Sequence, residues 1–331
     1  MKIDAAKLRE GFKYPLRAIS KCNALPALQG FKLEASDKLG VTGTDTALYI
    51  TTTLEADIRE PGTAIIPARK LADLVNRLDG QIEFILEDWQ CKVLADQSSY
   101  SLPTFPLDEF IVAPQVEGDL FHISGLHRVS FAASTEEYNT ALAGIYFHDG
   151  LIAAADHTRL AELTIGGFSG TALVPANAIL FDQCQMAIGS NYAMFALGNT
   201  RVYARLLTPT FPRYAHILPE SYKIEAEIPV SELLAALQRL RVINEKVVSM
   251  IFKDKVLTIS ANSEDGSGKE VVALEDCLGE IEIYFNPRIV IEGLSVVQGK
   301  TIKWGFTAPD KISCMHENGW RYVVMPIKPI S

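Results

Sequence analysis

Three tracts of this chain share one plan, and a repeated unit limits the possible folds more than any other feature of the sequence. GTAIIPARKLADLVNRL begins at Gly62, GTALVPANAILFDQC at Gly170 and IEIYFNPRIVIEGLSVV at Ile281; each is a β-rich run, then a proline, then a helical pattern. Pro67, Pro175 and Pro287 suit the first turn of a helix, where a missing N–H costs nothing and the fixed φ helps. From these prolines to Pro106, Pro212 and Pro326 the distances are 39, 37 and 39 residues, and two of the endpoints carry the same tripeptide, in TFPLDEF from Thr104 and TFPRYAHIL from Thr210.

Each repeat also opens alike, with a strand, a helical segment and then hairpin-like runs. The openings are MKIDAAKLREGFKYPLRAIS, DLFHISGLHRVSFAAS and YKIEAEIPVSELLAALQRL. Alternating apolar residues with turn signals at SDKLG and HDG mark the hairpins. The pattern predicts an α+β chain of three like domains, residues 1–118, 119–222 and 223–331, each with two helices packed on antiparallel sheets of roughly eight strands. The linkers near Gly118 and Tyr222 are polar and contain proline.

Hydrophobic residues make up 48% of the 331 and charged residues 21%, so the chain can bury a large core and disorder is excluded. No apolar run is long enough to span a membrane, and MKIDAAKLREGF lacks the apolar stretch of a signal peptide, which predicts a cytoplasmic protein. The cysteines Cys22, Cys91, Cys184, Cys277 and Cys314 are scattered and odd in number, the pattern of reduced core thiols.

The net charge of −9 argues against a polyanion partner until its distribution is considered. In the first helical segment Leu8, Phe12, Leu16 and Ile19 share one arc, with Lys7, Lys13, Arg17 and Lys21 opposite. Pro15 interrupts this helix. Segments 5–21 and 67–78 carry +4 and +2; 122–134, 175–188, 229–241 and 286–297 carry +1, −1, +1 and 0. The six helical segments thus total +7 and everything else −16. Solvated helix faces often hold Lys and Arg, but a split this uneven favours a helix-lined surface facing a polyanion.

Catalytic motifs are absent. SEDGSGKE at 263–270 lacks the first glycine of a phosphate loop and has Glu270 at the magnesium-ligand position, so it reads as a hairpin turn. GGFSG at 166–170 is out of order for a nucleophile elbow. The six histidines show no metal-ligand spacing, and Asp156 and His157, adjacent on a strand, would point to opposite faces. No cofactor and no metal is expected. On the residues alone, a peptide-binding β-rich scaffold and a hydrolase built on Asp156 and His157 stay open, although neither accounts for the charge split.

The threefold repeat, the runs GTDTALYI and AADHTRLAEL, the doubled Thr-Phe-Pro and the C-terminal YVVMPIKPIS together resemble the bacterial β sliding clamp, the processivity subunit of DNA polymerase III, over essentially the whole chain. The resemblance implies a head-to-tail homodimer closed around duplex DNA, with helices inside and sheets outside, and no catalytic site. Twelve helices at about 9–10 Å spacing would enclose a ring roughly 36 Å across the helix axes, with some 26 Å clear, wide enough for a duplex. Such a ring holds DNA by topology and touches phosphates without reading sequence.

The same resemblance implies three sets of residues. Lys7, Lys13, Arg17, Lys21, Arg69, Arg77, Arg128, Arg239 and Arg241 would face DNA, Lys21 foremost. Tyr100, Leu102, Val242 and Ile243 would join the first domain of one subunit to the third of the other through paired sheet edges. A groove for the short peptides of the polymerase and the clamp loader would be lined by Leu142, Ala155, Thr158, Arg159 and Leu160, by Pro212, His216 and Ile217, by Val247 and Asn286, and by Val323, Met325, Pro326 and Ile327. Two departures from the family pattern bear on peptide preference. Asp156-His157-Thr158-Arg159-Leu160 stands where Asp-Gly-His-Arg-Leu is common, and Ile289 where an aromatic often stands.

Overall fold

The computed structural model describes residues 1–20, 25–136 and 141–328. Among these residues are five α-helices: α1 (Ala5–Phe12), α2 (Ala68–Val75), α3 (His127–Ser130), α4 (Val230–Ile243) and α5 (Pro287–Leu294). These pack on antiparallel sheets in two compact units, 1–123 with 183–206, and 124–182 with 207–331. The units do not follow the repeat boundaries. The second repeat contributes Gln183–Ile188, Tyr192–Leu197 and Thr200–Arg205 to the first unit, and its strands from Gly144–His148 to Thr171–Pro175 to the second.

In the first unit, Lys2–Asp4, Gln81–Glu87, Gln90–Ala95 and Ser98–Pro103 form a four-stranded sheet in that order. The eight-stranded sheet runs Gly62–Pro67, Gly30–Ala35, Leu39–Thr44, Leu48–Leu54, Thr200–Arg205, Tyr192–Leu197, Gln183–Ile188, Phe121–Ser124. Leu8 and Phe12 of α1 and Leu71 and Val75 of α2 are buried in a core with Phe31, Val41 and Phe84, the rings of Phe12 and Phe31 stacking at 4.6 Å. Asp4 caps α1 by accepting the N–H of Ala6 at 2.9 Å. The Arg9 guanidinium donates to the carbonyls of Val75 and Leu78 at the end of α2, where the helix dipole favours a cation.

The second unit has a nine-stranded sheet in the order Thr171–Pro175, Gly144–His148, Leu151–Ala155, Arg159–Thr164, Trp320–Val324, Ser313–Glu317, Thr301–Phe306, Ile224–Pro229, Asp276–Leu278. Its four-stranded sheet runs Gly266–Ala273, Val256–Ser263, Val248–Lys253, Ile281–Phe285. The stretch SEDGSGKE is the expected turn, with Ser263 paired to Gly266. Asn286 caps α5 by accepting the Arg288 N–H at 2.9 Å. At Gly293, α5 lies so close to the sheet that a Cβ would come within 2.2 Å of Tyr322 Cε1. Tyr322 is fully buried and its hydroxyl donates to the Ile289 carbonyl at 2.9 Å, so it has no room to yield. Gly293→Ala is therefore expected to cost about 1–3 kcal/mol, measured as a lower denaturant midpoint.

The helices depart from expectation in two places. The first ends at Phe12, because Pro15 has no N–H to continue the ladder, and the chain resumes as a 3₁₀ turn over Pro15–Ala18. The tighter turn takes Leu16 off the buried arc, leaving it 38% exposed while Leu8, Phe12 and Ile19 stay buried. In the second repeat α3 is a single turn, and the segment after Pro175 is only a 3₁₀ turn, Ala176–Ala178. Gln183–Ile188 alternates exposed Gln183 and Gln185 with buried Cys184 and Met186, a two-residue period that commits it to a strand. Among the described residues only four helices reach eight residues, and the second repeat supplies only the single turn of α3 and a 3₁₀ turn.

Cys91 and Cys314 are buried free thiols, Cys184 is buried, and Cys277 is partly exposed; Cys22 lies outside the described residues. No described helix is long and apolar enough to cross a membrane.

Candidate functional site

The loop AADHTRL is built around one carboxylate. Asp156 Oδ1 accepts the backbone N–H groups of Thr158 (2.7 Å) and Arg159 (3.0 Å) and the Thr158 hydroxyl (2.7 Å). Its Oδ2 accepts from Arg159 Nε at 2.9 Å. The first repeat makes the same turn in GTDTALYI, where Asp45 accepts from the N–H groups of Ala47 and Leu48. Asp156 is thus a turn former, and His157 beside it lies 3.3 Å from Glu136. What the second repeat adds is Arg159 in the place of Leu48.

Arg159 is almost enclosed. Its Nη1 pairs with Glu292 of α5, its guanidinium lies 5.5 Å from the Phe131 ring centroid, and Glu292 also accepts from Arg288 Nε at 2.8 Å. Burial works against the Arg159 charge, but Tyr322, Glu292 and Asp156 outweigh it and raise the guanidinium above its ordinary value. Burial likewise opposes the Glu292 carboxylate, and the two guanidinium bonds overcome it and hold that group below its usual range.

Beside this loop lies a cavity of about 330 Å³. Ten residues expected in the groove line it together: Leu142, Ala155, Thr158, Arg159, Leu160, Pro212, His216, Ile217, Val323 and Met325. Four do not reach it. Asn286 is the α5 cap, Val247 donates its N–H to Asn244 Oδ1, and Pro326 and Ile327 continue the tail past the cavity, where the Ile327 N–H donates to the Tyr284 carbonyl at 2.8 Å. The tail begins at Met325, half exposed, whose N–H donates to the Thr158 carbonyl at 2.9 Å.

Sequence reasoning missed Asp156, Phe211, Arg213, Tyr214 and Ile312 as lining residues. Phe211 and Tyr214 stand inside the TFPRYAHIL tract, so the repeated tripeptide carried a signal for them. Phe211 stacks on Tyr146 at 5.0 Å and edge-on to Tyr214 at 6.0 Å. The Tyr214 hydroxyl donates to buried Glu162 at 2.5 Å, and Arg321 donates to the same carboxylate, its Nε at 3.0 Å. Burial first and the Glu162 carboxylate second raise the Tyr214 phenol, so it stays a neutral donor. One wall is therefore fixed by a buried polar network and the other by the tail, leaving a mostly apolar trough with a flexible Met at its rim.

The candidate phosphate contacts divide. Lys7, Lys13, Arg17, Arg69 and Arg77 are exposed in the first unit, on or just beyond the adjoining α1 and α2. Arg241 is exposed on α4, where Arg239 forms a two-pronged pair with Glu270, both bonds 2.8 Å. Lys21 lies outside the described residues. Arg128 is a correction: it is only 8% exposed, its Nη2 lies 2.5 Å from Glu317 Oε1, and its Nε donates to the Val296 carbonyl at 3.2 Å. With α3 cut to one turn, this side chain is part of the core rather than of a cationic face.

Of the interface candidates, Val242 is 84% exposed and Tyr100 37%, while Leu102 and Ile243 are half-buried. Tyr100 and Leu102 sit on Ser98–Pro103, the last strand of one four-stranded sheet. Val242 and Ile243 end α4, which packs on Gly266–Ala273, the last strand of the other.

Known proteins resemble this chain over its full length. Residues 1–114 match the family model for the DNA polymerase III beta subunit, N-terminal domain, and residues 215–328 match that for the C-terminal domain. A beta sliding clamp homolog, GriR, of Streptomyces muensis is 28% identical over 370 residues, covering 98% of each chain. The beta sliding clamp of Staphylococcus aureus is 26% identical over 356 residues, covering 95% of this chain and 94% of its own. Among solved structures, the Bacillus subtilis DNA polymerase sliding clamp superposes with a TM-score of 0.90 at 23% identity, and a Pseudomonas aeruginosa sliding clamp bound to griselimycin with 0.88 at 23%, each covering 99% of both chains. The chain belongs to the DNA polymerase III beta subunit family, the bacterial beta sliding clamps, which serve processivity in DNA replication and catalyse no reaction.

Proposed function

We propose that two copies of this chain, each made of the three repeats 1–118, 119–222 and 223–331, close head to tail around duplex DNA in the bacterial nucleoid, and that the trough beside Arg159 receives the short peptides by which the polymerase and the clamp loader attach. The observation that carries the reading is the trough itself: ten residues drawn from four separate stretches of sequence converge on one apolar cavity. An extended peptide with a polar residue followed by apolar ones suits it, its apolar side chains against Leu142, Leu160 and Val323.

Two further features support the ring. Each four-stranded sheet ends in a strand with one edge unpaired among the described residues, Ser98–Pro103 and Gly266–Ala273, and such edges invite pairing. Joining the first edge of one subunit to the second of another gives a heterologous contact that a twofold rotation closes. A protein that sediments as a monomer at micromolar concentration and low temperature would refute this closure.

The phosphate-facing cations are mainly Lys7, Lys13, Arg17, Arg69 and Arg77, with Lys21, Arg239 and Arg241 as further candidates. Each contact is solvated and contributes little alone. Reversing the charge of Lys13, Arg17 and Lys21 together is expected to shorten retention on DNA and to flatten its salt dependence by about three counterions, with the dimer intact. Retention unchanged across a salt series would remove the helix charges from the account.

A further inference from the structure

A second cavity, about 420 Å³, opens in the first unit between its two sheets, walled by Leu33, Ala35, Leu39, Phe84, Leu86 and Cys91. Register fixes the equivalent positions in the other repeats. Leu33 pairs with Ala64 on the strand leading to Pro67, as Phe147 pairs with Ala172 on the strand leading to Pro175. Phe147 is fully buried there, and Phe168, two residues before Gly170, closes over it edge-on at 6.1 Å. The residue two before Gly62 is Glu60, which stands exposed on the rim of the open cavity.

The third repeat fills the same space from the other wall. Lys2 to Asp4 pair with Gln81 to Glu83 as Glu227 to Pro229 pair with Thr301 to Lys303, Asp4 and Pro229 each standing just before a helix, so Phe84 and Leu86 correspond to Trp304 and Phe306. Leu33 pairs with Ala64, three residues before the α2 cap Pro67, as Met250 pairs with Ile283, three residues before the α5 cap Asn286, so Ala35 and Phe252, two residues further on, correspond. Phe252, Trp304 and Phe306 are fully buried and pack with ring centroids 4.8–5.9 Å apart. Where two repeats carry aromatic plugs of their own, the first has smaller side chains or a carboxylate, and a gap remains.

We infer that this gap is a second docking pocket, which takes one aromatic side chain from an extended segment of a partner protein. The occupant follows from the repeats: an aromatic ring is what the same walls hold elsewhere in the chain. The mouth suits an extended segment, because Gly62–Pro67 is the terminal strand of the eight-stranded sheet and, among the described residues, is bridged on its outer side only at Ile65, by Phe105. Arg59 and Glu60 on the rim offer a donor and an acceptor to the flanking backbone. This pocket is independent of the trough beside Arg159.

The test uses the full-length protein and the peptide acetyl-Thr-Phe-Thr-amide, with acetyl-Thr-Ala-Thr-amide as control, titrated by NMR at millimolar concentration. The phenylalanine probe should shift resonances of Leu33, Leu39 and Leu86 and bind about ten-fold or more tightly than the alanine probe, the difference expected for burying one ring. Leu33→Phe, which installs the second repeat's residue, should remove that binding. Glu60→Phe, an exposed rim change that cannot disturb the core, should weaken it likewise, while Met325→Ala leaves it unchanged. Equal binding of the two probes, binding that survives both filling variants, or binding lost in Met325→Ala would overturn the proposal. So would these shifts appearing on self-association without peptide, since a second copy would then be the occupant.

Discussion

Removing the chain from Met325 onward should abolish measurable binding of a Gln-Leu-Asp-Leu-Phe peptide, and replacing Met325 and Ile327 with Ala should weaken it strongly, while the protein stays a dimer. Among the described residues the tail has two anchors, the Met325 N–H on the Thr158 carbonyl and the Ile327 N–H on the Tyr284 carbonyl. Of these two residues Met325 lines the trough and Ile327 does not. Its thioether forms an adaptable rim, and Ile327 holds the backbone that presents it. Losing both side chains should cost about 2–3 kcal/mol of binding, roughly 30- to 150-fold in Kd, and truncation more. Fluorescence polarisation of the labelled peptide reads the affinity and sedimentation reads the dimer. An unchanged Kd would mean that the trough is not the peptide site.

Arg128→Ala should be among the most damaging single substitutions in the chain, and damaging to stability rather than to DNA binding. Burial lowers the Arg128 pKa and the Glu317 charge opposes that shift. Glu317 also accepts the N–H groups of Gln298 (2.8 Å) and Gly299 (2.9 Å), so it holds a turn in place. The Arg128 guanidinium lies 5.2 Å from the Trp320 ring centroid, and the Trp320 indole N–H donates to the Arg128 carbonyl at 2.8 Å. Truncating the arginine leaves a nearly buried carboxylate without its counter-charge, a loss of about 3–5 kcal/mol. Denaturant titration should show it, and the salt dependence of DNA retention should not change. Full stability with weakened DNA retention would restore Arg128 to the cationic face.

These two cases show what the sequence made legible and what it did not. The trough was readable because its residues lie in local motifs, AADHTRL, TFPRYAHIL and the apolar tail, whose order survives in a linear string. Ten of its residues line one cavity. Arg128 was misread because a helical projection places an arginine on a polar face whenever the helix is long enough to have one. α3 is one turn long, and Glu317, its partner, lies 189 residues away, a pairing that no local pattern encodes. The same limit applies to the segment after Pro175, where helix and strand periods compete and the alternation of Gln183 to Met186 prevails. The edge strands Ser98–Pro103 and Gly266–Ala273 were legible only in part: Tyr100 and Leu102 read as a sheet edge, while SEDGSGKE at 263–270 read as a hairpin turn. That both leave one side unpaired among the described residues is a property of sheet order, which emerges only when distant segments are assembled.

The central claim, that the chain works as a closed ring, is tested most directly by topology. Protein loaded by a clamp loader onto nicked circular DNA should remain bound through gel filtration at moderate salt, and should be lost within minutes once a single restriction cut linearises the circle. Only a ring can distinguish the two, because the cut changes neither sequence, charge nor length. Equal retention before and after the cut would mean that the protein grips DNA instead of encircling it, and would contradict the account.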